Sequence, residues 1–306
     1  MNLFSILEEA AKKWPEDTAI VYRDRSFRYA DLYSRVNSLA LILRKGGVRA
    51  GDKVGLMFPS SPEAIVASFA VWRVGGIAVS IPPASKAGEI VSLADIMKVD
   101  AFCYSTRFRS LIPGANRDTL AEMVISEGGV PFQVKPAPSR FTSQSEREKL
   151  LGIDAAAIYF SSGTTAQAKG IIFSHSTVLN RARNQFEAPP IGREDSILWM
   201  QSTVNLGSPL YLCFLQGAKI VISDTVDTRP VAHLVAHHHV TQIYATPLFY
   251  RALLGDENIT AESLLAVNYF INWSTSVPSA LAQALDRKST RLNSSHIQKS
   301  RMPSSA

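Results

Sequence analysis

Residues 156–173 hold this chain to a narrow set of folds. An apolar run at 156–160 has the length and composition of a buried strand. It empties into Ser161-Ser162-Gly163-Thr164-Thr165, with Lys169-Gly170 close behind, and a second strand-like run follows at 171–173. Small residues let a backbone close around a bulky anion. Hydroxyls and N–H groups donate to its oxygens, and one lysine supplies positive charge. This is the chemistry of a phosphate-gripping loop held between two strands. A Ser/Thr-rich surface turn carrying a chance lysine is the plain alternative.

Two familiar loops of this kind do not fit. A Walker loop needs glycine before its lysine and Ser/Thr after it, and it opens a helix. Here Ala168 precedes Lys169, Gly170 follows it, and the chain continues as a strand. A hydrolase elbow, Gly-x-Ser-x-Gly, is not present either, so Ser161 and Ser162 are not read as nucleophiles.

The rest of the chain alternates strand and helix patterns, which marks an α/β protein. The spacing predicts strands over 18–23, 53–58, 77–81, 101–104, 197–201, 219–223, 240–245 and 266–272. It predicts helices over about 30–45, 62–74, 176–186, 231–238 and 247–254. Arg25-Ser26 reads as a turn, and Ser61-Pro62-Glu63 as a helix start with a capping hydroxyl. The polar stretch 107–152 reads as a helix plus an irregular excursion. Residues 1–13 are amphipathic rather than an apolar export signal.

Composition bounds the class. The chain has 306 residues, 46% hydrophobic and 19% charged, enough for two domain-sized units with a large core. Cys103 and Cys213 lie far apart in apolar contexts and read as reduced core residues. No apolar run approaches the ~20 residues of a membrane helix, and the expected location is cytoplasmic. His237-His238-His239 reads as a solvated helix end, because consecutive side chains do not share a helix face.

The formal charge of +6 would invite a nucleic-acid partner, but its source argues against one. From Asp286 the sequence turns serine-rich and aperiodic, which predicts disorder over 286–306. Residues 286–296 and 299–306 back-translate into strings resembling a widely used sequencing adapter. The tail is therefore expected to be artefactual, with native sequence ending near Leu285. It carries five basic residues against one acidic, a net +4, which leaves +2 for the remainder. No nucleic-acid partner is expected.

The loop resembles the signature of the adenylate-forming superfamily: acyl-CoA synthetases, peptide-synthetase adenylation domains and luciferases. That signature runs Ser/Thr-Ser-Gly-Thr-Thr-Gly-x-Pro-Lys-Gly. The chain matches at Ser161, Ser162, Gly163, Thr164, Thr165, Lys169 and Gly170, and departs at Ala166 and Ala168. Other segments resemble the family in order: Arg28-Tyr29-Ala30-Asp31-Leu32, Gly51-Asp52-Lys53-Val54, Trp72 to Val79, Gln216 to Val221 and Val240 to Pro247.

The resemblance implies an α/β fold of doubly wound sheets with flanking helices, as an incomplete large N-terminal domain over 1–285. Approximate subdomains are 51–188, and 1–50 plus 189–285. It implies ATP-dependent activation of a carboxylic acid to an acyl-adenylate with Mg²⁺, then transfer to a thiol of coenzyme A or a carrier-protein pantetheine. Ser161, Thr164 and Thr165 would donate to phosphates, Gly163 would allow close approach, and Lys169 would be the electrostatic partner. Alternatives are a peptide-synthetase adenylation domain loading a carrier protein, and a degenerate nucleotide-binding member.

Ser202-Thr203-Val204-Asn205 stands where the family commonly has Phe-His. Trp273 follows the last strand, where the family has a Gly-Gly-Ala-Pro-like turn, and reads as packing or as pocket-shaping. The family's later magnesium-binding glutamate, ribose-binding aspartate and C-terminal catalytic lysine have no counterpart here, so the chain by itself is expected to be inactive.

Overall fold

The computed structural model describes residues 2–112, 121–125, 143–161, 169–184, 189–203, 208–260, 262–272 and 278–288. In chain order the elements are α1 (Leu3–Lys13), β1 (Thr18–Tyr22), β2 (Arg25–Arg28), α2 (Tyr29–Lys45), β3 (Lys53–Met57), α3 (Pro62–Arg73), β4 (Ile77–Ser80) and α4 (Ala87–Met97). Then come β5 (Ala101–Ser105), β6 (Ala121–Ile125), α5 (Gln144–Gly152), β7 (Ala155–Ser161), β8 (Lys169–Ser174), α6 (His175–Asn184) and β9 (Ser196–Trp199). The last are α7 (Ser208–Gln216), β10 (Lys219–Ile222), α8 (Thr228–His237), β11 (Gln242–Ala245), α9 (Pro247–Gly255), β12 (Tyr269–Asn272) and α10 (Ser279–Lys288).

The chain divides into two compact units, each built on one sheet. The first unit takes residues 1–16, 29–183 and 202–211, with strand order β6-β5-β3-β4-β7-β8. The second takes 17–28, 184–201 and 212–306, with order β12-β11-β9-β10-β1-β2. In each sheet the strands run parallel except at one edge, where a hairpin adds an antiparallel strand: β8 on β7, and β2 on β1. This is the expected α/β architecture of parallel-rich sheets flanked by helices. Helices α1 and α2 cluster with the β3 sheet rather than with residues 189–285, because their apolar faces pack on α3 and on each other.

Sequence pattern explains most elements. In α1, Leu3, Ile6, Leu7 and Ala10 recur at helical spacing and are all buried, while Asn2 accepts from the Phe4 N–H as an N-cap. Strands β3 and β5 are buried at every position, as strands covered on both faces must be.

Several expectations are corrected. The first hairpin turns at Arg23-Asp24, not Arg25-Ser26: Tyr22 pairs with Arg25, and Arg23 takes φ 53°. Ser61 occupies the N-cap of α3 without a side-chain capping bond. Instead the fully buried Thr203 hydroxyl accepts from the Ser61 N–H at 2.9 Å and donates to its carbonyl at 3.2 Å.

Four elements lack a sequence expectation. Helix α4 buries Ile90 alone, so it shows no stripe, and α7 is apolar on all sides. Strand β6 extends the sheet by pairing in parallel with β5 inside the stretch read as irregular. Helix α10 runs to Lys288, past the point where disorder was expected to begin at Asp286, with Leu281 and Leu285 buried. Among the described residues no helix is long and apolar enough to cross a membrane.

Candidate functional site: a strand hairpin closing a phosphate-type loop

β7 and β8 form an antiparallel hairpin whose register ends on Ser161 opposite Lys169. The two ends of the signature loop are therefore strand residues and direct cross-strand partners. Backbone pairing pins the start and finish of the loop to the sheet, at the carboxyl end of β7. That end of a parallel sheet is where α/β folds bind ligands. Ser162, Gly163, Thr164 and Thr165 lie outside the described residues, as do Ala166, Ala168 and Trp273.

Gly170 pairs with Phe160 one step back from the loop, within the sheet. A Cβ there would stand 2.8 Å from both Cε and Sδ of Met97 and 3.0 Å from Cγ2 of Ile158. Packing alone therefore favours glycine at this position.

The hairpin has a built foundation. The indole N–H of buried Trp72 donates to the Ala156 carbonyl at 2.8 Å, tying α3 to the backbone at the start of β7. At the far end of β8, His175 is buried and its Nδ1 accepts from the Leu3 N–H at 3.1 Å. Burial, more than the opposing pull of Asp154, lowers the His175 pKa to about 4. Tyr159 and Phe173 meet across the two strands with tilted rings, centroids 5.2 Å apart at 47°. Burial pushes the Tyr159 hydroxyl up to about 12, so it stays protonated. These supports were not singled out in the sequence. Trp72 lay in a family-like segment without a role, and His175 sits just beyond the second apolar run.

The Gly51-Asp52-Lys53 segment is structural. Gly51 takes φ +80°, and a Cβ on it would run into Cγ of Arg147. Arg147 donates from Nε to the buried Asp52 carboxylate at 3.1 Å. Lys53, with its side chain buried, pairs with Glu146 at 2.6 Å, and Lys98 reaches the same carboxylate at 3.2 Å. The Lys53 pair and the weaker Lys98 contact hold the Glu146 carboxyl below its ordinary pKa against the opposing effect of burial. This network clamps α5 and the end of α4 to the sheet.

In the second unit a cleft of about 270 Å³ is lined by Asp17, Thr18, Arg193, Glu194, Asp195 and Lys219. It opens at the amino ends of β1, β9 and β10. Arg193 binds Asp17 at 2.6 and 3.1 Å, and the Lys219 ammonium donates to the His238 carbonyl at 2.9 Å. The cleft is thus a paired, strand-starting structure rather than a ligand end. The histidine run caps α8: His237 ends the helix, His238 is its C-cap and His239 takes φ 50°. Burial and then the His237 charge lower the His238 pKa. Among the described residues no group of three His, Cys, Asp or Glu could hold a metal ion, and both cysteines are buried and outside any disulfide.

The family model for AMP-binding enzymes matches residues 7–296. Gramicidin S synthase 2 of Brevibacillus brevis is 28% identical over 256 residues, which cover 81% of this chain and 5% of that protein. The chain thus spans a small part of the curated relatives it matches. The N-terminal domain of FACL13 from Mycobacterium tuberculosis, solved with an inhibitor, superposes with a TM-score of 0.79 at 19% identity, covering 94% of this chain and 73% of that one. The anthranilate CoA ligase AuaEII, solved with anthranoyl-AMP, gives 0.78 at 21% identity, covering 94% and 58%. These structural likenesses establish the fold, and the family match establishes kinship: the chain belongs to the AMP-binding enzyme family.

Proposed function

We propose that this chain supplies the triphosphate-gripping side of an acid-activating enzyme. The carboxylate oxygen of the acid attacks the α-phosphorus of ATP, the bond to the β-phosphate oxygen breaks, and acyl-AMP and pyrophosphate result. A thiol of coenzyme A or of a carrier-protein pantetheine then takes the acyl group, and AMP leaves. The register of Ser161 against Lys169 carries this reading, because it holds a Ser/Thr/Gly loop and its lysine at the carboxyl edge of a parallel sheet.

In this reading Ser161, Ser162, Thr164 and Thr165 donate to the β- and γ-phosphates. Gly163 admits their close approach, and Lys169 offsets charge that builds on the leaving pyrophosphate. Gly170 serves the loop by letting its exit strand pack. Mg²⁺ accompanies ATP in such chemistry, yet the described residues offer no convergent set of ligands for it.

The peptide-synthetase relatives favour a carrier protein as the acceptor. The superposition on a CoA ligase supports the coenzyme A version through the fold alone. Curated relatives such as gramicidin S synthase 2 are far longer than this chain, so full turnover is assigned to a longer protein, and the chain alone is expected to bind the triphosphate without completing exchange. Calorimetry with ATP and with pyrophosphate, both with Mg²⁺, tests the first half. Binding that Lys169→Ala weakens roughly tenfold or more supports the reading. Binding of neither ligand, or binding indifferent to Lys169, overturns it. Carboxylate-dependent pyrophosphate exchange by the chain alone would overturn the second half.

A further inference from the structure

We propose that Met97, the last residue of α4, is a positioning residue for the phosphate loop: it fills the face of Gly170 and so fixes where the chain bearing Lys169 enters β8 from the loop. The proposal rests on the phosphate-loop reading above.

Gly170 has no positive φ to explain it, unlike Gly51 or Gly75. What it has is a neighbour: the thioether and methyl of Met97 occupy the volume a Cβ would need, with Ile158 closing the other side. Met97 is half-buried and packs on the same apolar cluster as Ile90, Phe102, Leu150 and Ile158, beside Phe160. Phe160 is the residue that Gly170 pairs with across the hairpin. The strand entry is therefore held on one side by its partner strand and on another by a methionine from a separate helix.

That helix end is itself anchored. Lys98 follows Met97 in the left-handed region, φ 51°, and the Val99 N–H returns to the Ala94 carbonyl at 3.0 Å. The Lys98 ammonium joins the Glu146 carboxylate, which also holds the buried Lys53 of β3. An unbranched, polarisable side chain on a fixed stem fills an irregular gap well. Lys169 directly precedes Gly170, so any play at Gly170 is passed to the lysine. A small misplacement of a charged group costs binding and rate steeply.

The test is a set of variants in the full chain, read by calorimetry with ATP and Mg²⁺ and by thermal melting. Met97→Ala should weaken ATP binding roughly tenfold, and Met97→Leu, which conserves volume, should restore it to within about twofold. Gly170→Ala should weaken binding by displacing Met97, and the pair Gly170→Ala with Met97→Ala should lose clearly less than the two losses combined. A merely structural methionine would lower the melting temperature without this pattern in affinity. If Lys169→Ala weakens binding while Met97→Ala does not, or if the double variant is simply additive, the positioning role is overturned and the phosphate-loop reading survives. If the unmodified chain does not bind ATP, or Lys169→Ala binds it unchanged, that reading falls and this inference falls with it.

Discussion

The backbone N–H of Leu3 donates to Nδ1 of His175 at 3.1 Å, across 172 residues of sequence. Leu3 opens α1 and His175 opens α6, directly after the strand that leaves the phosphate-type loop. Because an N–H can only donate, Nδ1 must be the unprotonated nitrogen. The bond exists only while the ring is neutral, so the first helix and the hairpin are fastened by a group that acid can unfasten.

That gives a pH dependence with a defined sign. Burial lowers the His175 pKa to about 4 in the folded chain, against an ordinary 6.5. Between those values the unfolded chain binds the extra proton, so stability is complete above pH 6.5 and is lost as pH falls toward 4. The loss reaches at most about 3 kcal/mol. His238, also lowered by burial, pushes in the same direction. Urea unfolding at pH 7 and at pH 4.5 should therefore show a smaller decrease for His175→Asn than for the unmodified chain. Equal decreases in the two proteins would remove His175 as the cause.

The Arg147–Asp52 pair should be a large single contribution to the first unit. Asp52 is almost fully buried and Arg147 nearly so, hence Arg147→Ala leaves a buried carboxylate short of its cation. A loss of about 3 kcal/mol is expected. Gly51→Ala should cost about 2 kcal/mol, from its positive φ and from the approach of the Arg147 chain. Chemical denaturation measures both. Because Arg147 takes part in each effect, the double variant should cost less than the two single losses together.

Much of this architecture was legible from periodicity, and two helices escaped it for opposite reasons. Helix α1 announced itself because Leu3, Ile6, Leu7 and Ala10 form one stripe. Helix α7 did not, because Leu210 to Phe214 are all buried and leave no polar face to set a period. Helix α4 failed for the opposite reason: Val91 and Ile96 are apolar yet exposed, so the pattern points nowhere. At the candidate site, residue order announced the two flanking strands, which β7 and β8 bear out, while their register did not follow from it. That Lys169 starts a strand opposite Ser161, rather than lying within the loop, depends on hydrogen bonding between β7 and β8. The supports Trp72, Met97 and His175 come from distant segments, and a local pattern carries no trace of such contacts.

Trp72 should matter beyond its bulk. Its ring meets Phe69 edge-on at 5.2 Å, and its N–H satisfies the Ala156 carbonyl. Trp72→Phe keeps an aromatic ring but removes the donor and leaves unfilled volume. A destabilisation of about 2–3 kcal/mol is expected. Hydrogen exchange should then report faster opening at residues 155–158, where β7 begins, than in β9 or β10 of the other sheet. Uniform acceleration through both sheets would mean that the loss is global rather than seated at the hairpin.

Tyr250 offers the sharpest hydrogen-bond test in the second unit. Its hydroxyl lies 2.8 Å from the Ile243 carbonyl and 2.8 Å from the Ile271 carbonyl, bridging the parallel strands β11 and β12 from helix α9. One hydroxyl proton can serve one carbonyl fully or be shared between them. Tyr250→Phe removes the donor from both while keeping the ring that packs edge-on against Phe270 at 5.8 Å. The site is fully buried, so water does not readily replace the lost donor. A loss of about 1–2 kcal/mol in urea unfolding is expected, with the slope against urea unchanged. A neutral substitution would show that β12 is held by its pairing with β11 alone, and that the bridge from α9 adds nothing to the edge of the sheet.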